Sequence, residues 1–123
     1  MLLIQHVAVD VINIKIGKTG GITNAKKIAA VAEAAGINTV VGTALGLGLE
    51  GAAKLHLAAS TPTMLAHVEF SELTLHAASL IDEDEKTYSA PIEKDGCLPV
   101  PTKSGLGVTI NEDKVAAHAL SIG

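Results

Sequence analysis

Apolar and polar side chains alternate over residues 7–16. Ile12, Ile14 and Ile16 share one face of an extended chain, and Val11, Asn13 and Lys15 share the other. The pattern predicts a strand with an aliphatic face and Lys15 pointing away from it. After the paired Gly20 and Gly21 the period changes. Ile28, Val31, Ala32 and Ala35 recur at helical spacing, with Thr23 or Asn24 as the capping residue and Gly36 as the stop. Residues 37–41 form a second β-branched run, 42–51 a glycine-rich loop, 52–59 a second short helix and 64–70 a third strand. The order β-α-β-α-β calls for parallel strands joined by right-handed crossovers.

The chain therefore divides in two. Residues 1–80 read as a βαβαβ segment, and residues 81–123 as an irregular tail: an acidic turn at 82–85, a Pro- and Gly-containing stretch at 88–101, and a short helix starting at Asn111 that includes Val115, Ala116 and Leu120.

Composition narrows the class. With 48% hydrophobic and 18% charged residues in 123, the chain is globular, and one Phe, one Tyr and no Trp leave Ala, Val, Ile and Leu to build its core. That core suits a helix-covered parallel sheet. A net charge of −4 and the scarcity of aromatic stacking platforms argue against nucleic acid. No apolar run approaches the roughly twenty residues of a membrane span. A single cysteine, Cys97, forms no internal disulfide and fits a cytoplasmic location.

Two glycine motifs resemble phosphate loops. Gly17-Lys18-Thr19 lacks the upstream glycine of a Walker loop, since position 12 is isoleucine. Residues 46–51 spell G-x-G-x-x-G, but four residues separate the second strand from Gly46, whereas a dinucleotide fingerprint turns at the strand end. A dinucleotide-binding module is thus the weaker reading. His6, His56, His67, His76 and His118 contain no close-set pair of the H-x-x-x-H kind that would suggest zinc. Lys26, Lys27 and Lys54 are expected on solvated helix faces, and His56 in packing or at the surface.

Lys15, at the carboxyl end of a strand, lies where parallel α/β folds place their chemistry. Its surroundings resemble the carboxyl-terminal part of the muconate cycloisomerase subgroup of the enolase superfamily. The resemblance is carried by I-N-I-K-I-G-K-T-G-G-I at 12–22, A-A-V-A-E-A-A-G-I at 29–37, V-G-T-A-L-G-L-G at 41–48, A-A-K-L-H-L-A-A at 52–59, V-E-F-S-E-L at 68–73 and G-L-G-V-T-I-N-E at 105–112.

The resemblance implies strands six to eight of a modified (β/α)8 barrel, with residues 81–123 returning to a capping domain. It makes Lys15 and Glu69 the catalytic candidates, and Asn13, Lys18, Thr43, Gly46 and Gly48 the candidates for binding a small carboxylate substrate. Proton removal beside a carboxylate needs cationic neighbours and a divalent metal, Mn2+ or Mg2+ in this family. Its carboxylate ligands, and a second lysine, would come from strands preceding Met1. The chain is accordingly expected to be a fragment, inactive alone, that associates with itself or with the missing part of its barrel.

Two departures bear on specificity. Gly46 stands where the family commonly carries a glutamate, with Glu50 four residues later. Val68-Glu69-Phe70 replaces the D-x-D of dipeptide epimerases, which favours a cycloisomerase; related racemases and succinylbenzoate synthases, or a non-catalytic oligomerising remnant, are the alternatives. Glu72 reads as either a substrate neighbour or a helix cap.

Overall fold

The structure, a computed structural model, describes residues 2–6, 8–44, 47–69, 80–82 and 96–119. Its elements are α1 (Leu2–Gln5), β1 (Val11–Ile14), α2 (Ile16–Thr19), α3 (Ile22–Ala34), β2 (Asn38–Val41), α4 (Leu47–Ala59), β3 (Met64–Val68) and α5 (Glu112–His118). The strands form one parallel sheet in the order β1-β2-β3. Val11 to Ile14 lie opposite Asn38 to Val41 without a break. Between β2 and β3 the register shifts, since Thr39 pairs with Met64 and Val41 with Val68.

Both long helices cover the same face. Ile14 and Val41 from the sheet, Ala25 and Ala29 from α3, and Ala53 and Leu57 from α4 belong to one buried cluster that also takes in Ile16 and Met64. The aliphatic face anticipated for the first strand is the one that meets these helices, since Ile14 and Ile16 are buried and Ile12 packs against the cluster. On the other face Val11, Asn13 and Asn38 are exposed.

The strand is shorter than the alternation predicts. It begins only at Val11, and the chain turns immediately after Lys15, whose carbonyl accepts from Lys18 N (3.0 Å) and Thr19 N (3.1 Å). Thr19 Oγ1 donates to Ile16 O at 2.9 Å, and Gly20 closes α2 at φ 77°, a left-handed conformation natural to glycine.

Helix α3 also differs at its start. Gly21, not Thr23 or Asn24, occupies the cap position, and the Asn24 side chain instead donates back to Thr19 O at 3.1 Å. Its inward stripe is Ala25, Ala29 and Ala32, while Ile28 and Val31 are 38% and 47% exposed. Small side chains let the helix axis approach the sheet closely, so the larger residues are displaced to the flank. Its end matches expectation: Gly36, at φ 70°, donates to Glu33 O and Ile37 to Ala32 O, the paired bonds of a Schellman motif.

Helix α4 begins earlier than residue 52 and absorbs Gly48 and Gly51, both buried. The tail packs onto this unit. Ile81 pairs with Ile110 in an antiparallel bridge, Leu106 packs against the core, and the His56 ring Nε2 lies 3.1 Å from Leu106 O. Asp82, expected in a solvated turn, is half-buried and accepts from Asn111 Nδ2 at 2.9 Å; residues 83–85 fall outside the described residues. Asn111 caps α5 as anticipated, its side chain accepting from Lys114 N at 2.9 Å. Leu120 lies outside the described residues.

Candidate functional site at the carboxyl ends of the strands

Parallel strands bring their carboxyl ends to one rim. Lys15 follows β1 directly and Glu69 follows β3 directly, so both stand there. Lys15, extended in backbone and next to the buried Ile14, belongs to the face turned from the helices, and Glu69 follows Val68, the register partner of Val41. Lys15 is half-buried and Glu69 exposed.

Backbone bonds stitch the rim together. Gly42 N donates to Ile14 O at 2.9 Å and Glu69 N to Val41 O at 3.0 Å, extending the sheet past the last strand residues. The Glu69 carboxylate turns toward the loop after β2, where its Oε2 accepts from Thr43 N at 2.9 Å. The next amide, Ala44 N, donates to Glu50 Oε1 at 3.0 Å. Two consecutive amides are thus held by two carboxylates from different elements. Asn13 completes the group, because its side chain lies so close over Gly42 that a methyl group there would strike its Oδ1.

Of the residues singled out in the sequence, Asn13, Thr43 and Glu69 are brought together around this loop, and Lys15 shares their rim. Lys18 is exposed on α2, and Gly48 is buried within the first turn of α4. Gly46 and Glu72 lie outside the described residues.

Two participants were not anticipated. Glu50, displaced by one helical turn from the position the resemblance marks, still reaches the loop. Lys54, expected on a solvated face, is 0% exposed, and its Nζ donates to Glu69 O at 2.7 Å. The correction has a local cause: Lys54 shares the stripe of Gly51 and Leu57, both buried, and α4 lays that stripe against the sheet. A lysine within A-A-K-L-H-L-A-A, four residues after a glutamate, was the available signal.

A parallel βαβαβ unit with polar side chains collected at the strands' carboxyl ends is a segment of the α/β class of enzyme folds. More narrowly, the chain belongs to the enolase C-terminal domain-like family, which matches residues 1–114. The chloromuconate cycloisomerase of Pseudomonas putida is 35% identical over 113 residues, covering 92% of this chain and 29% of that enzyme. The crystal structure of an N-succinyl Arg/Lys racemase from Bacillus cereus superimposes with a TM-score of 0.77 at 30% identity, over 94% of this chain and 29% of that one. An enolase from Thermobispora bispora, complexed with magnesium and formate, superimposes with a TM-score of 0.82 at 25% identity, over 94% of this chain and 26% of its own. The chain thus spans under a third of the length of these relatives. The match is to an enolase-superfamily fold.

Among the described residues no group of three His, Cys, Asp or Glu side chains is arranged to hold a metal ion, and no helix is long and apolar enough to cross a membrane.

Proposed function

We propose that this chain is the carboxyl-terminal portion of a cycloisomerase of the muconate to muconolactone type, a cytoplasmic enzyme of aromatic catabolism that acts on a small carboxylate. The reading is supported by one observation: Lys15 and Glu69 stand on one rim of a parallel sheet, with the Glu69 carboxylate bound by the Thr43 amide.

A half-buried ammonium at Lys15 supplies positive charge where an enediolate develops, and a lysine in such a place also exchanges protons with the carbon beside the carboxylate. Glu69 serves as the fixed negative partner on the opposite side of the β2 loop. Asn13, Thr43 and the neighbouring main chain orient the substrate, with Lys18 and the glycines at 46 and 48 completing the binding set. The described residues do not offer a cradle for Mg2+ or Mn2+. The family's metal would be held by carboxylates other than those of the described residues. Residues 81–123 are the part we assign to contact with a capping domain.

A racemase of the same family is the second reading, favoured by the superposition on the N-succinyl Arg/Lys enzyme. The test compares a polypeptide carrying this chain within a complete barrel with the same polypeptide bearing Lys15→Met. Lactone formation from cis,cis-muconate, lost by roughly a hundredfold or more in the variant, is the expected outcome. Exchange of the α-proton of an N-succinyl amino acid without lactone formation would establish the racemase instead. The 123-residue chain alone is expected neither to form lactone nor to bind Mn2+ with 1:1 saturation.

A further inference from the structure

Lys54 is the largest fully buried side chain described. An ammonium without solvent is costly, and an aliphatic residue of similar volume would fill the same space without that penalty. Burial of a lysine therefore points to what the charge holds. Here it holds Glu69 O, at 2.7 Å, the short length of a charge-assisted bond.

Glu69 depends on such bonds. It is exposed, so packing does not fix it, and its position is set by Glu69 N on Val41 O, Thr43 N on its carboxylate, and Lys54 on its carbonyl. The third of these comes from the helix layer beneath the sheet and ties the strand end to α4. Glu50 lies four residues earlier on the same side of that helix and holds Ala44 N, so one helical face grips both loops of the rim.

We infer that Lys54 is a positioning residue: through the Glu69 carbonyl it keeps the Glu69 carboxylate aimed at the Thr43 amide, and so sets the charge geometry of the rim. The value of that geometry for catalysis rests on the function proposed above; the positioning itself does not.

The test follows amide hydrogen exchange by NMR in the full chain and in Lys54→Met and Leu57→Ala. In Lys54→Met the Thr43 amide is expected to exchange about tenfold faster, the loss of roughly one hydrogen bond, while the Gly42 amide, bonded to Ile14 O, keeps its protection. Leu57→Ala, a cavity in the same helix, should release both amides together. If Lys54→Met released both together as well, or left Thr43 unchanged, the inference would be overturned. Should Lys54→Met fail to fold, the unaltered chain decides: slowly exchanging Nζ protons coupled to the Glu69 carbonyl support the role, and Nζ protons in rapid exchange with water refute it. A complete enzyme that retains full activity as Glu69→Gln would defeat the proposed function while leaving this result standing.

Discussion

Gly42 has no room for a side chain because Asn13 occupies the space above it. Asn13 is exposed at the open face and can swing aside, so Gly42→Ala is expected to cost only about 0.5–1.5 kcal/mol, mostly in rotamer strain. Urea unfolding of Gly42→Ala, Asn13→Ala and the double variant checks this. The cost should vanish when both are changed, whereas additive losses would mean that the glycine is needed for its own backbone. Alternation placed Asn13 and Lys15 on the face opposite the isoleucines, and that much was legible. The grip of Glu50 and Lys54 on the loop was not, because a charged residue on a helix reads as solvated until the facing stripe is known. Lys54 shows the limit: its type argues for the surface, and only the burial of Gly51 and Leu57 beside it argues for the interior.

At the level of elements, periodicity identified each strand and long helix but misjudged several of their ends and part of one face. The first strand was read too long because alternation continues through Lys15 and Ile16, where hydrogen bonds to the Lys15 carbonyl have already turned the chain. Gly48 and Gly51 made the start of α4 look like a loop; buried against neighbouring elements, they favour close contact over chain freedom. In α3 the bulky apolar positions drew attention to Ile28 and Val31, whereas the buried positions are the alanine stripe. Ala29, 1% exposed, is therefore expected to resist enlargement: Ala29→Leu should destabilise by about 1–3 kcal/mol. Ile28→Ala, at the exposed flank, should cost under about 1 kcal/mol. Equal losses in chemical denaturation would show that the helix face has been assigned wrongly.

In the molecule as a whole, the helices protect one face of the sheet and leave the other to solvent, with Val11 42% and Leu65 38% exposed. Among the described residues β1 and β3 each have one paired edge, and an unpaired edge beside apolar surface invites association. We propose that the chain pairs with a second copy or with the remainder of a barrel, covering Val11, Val40 and the strand around Val68. Sedimentation velocity at micromolar concentration should show a concentration-dependent increase in mass; a monodisperse monomer that binds no hydrophobic dye would refute the proposal.

The tail meets the helical layer through a contact with an uncommon property. A main-chain carbonyl can only accept, so in the bond between the His56 ring and Leu106 O the Nε2 atom must carry the hydrogen. That hydrogen is present in one neutral tautomer and in the imidazolium alike. Both forms of the ring therefore offer the same donor to Leu106 O. The tail is thus fastened at this point by a bond that the ring makes as donor and the main chain as acceptor.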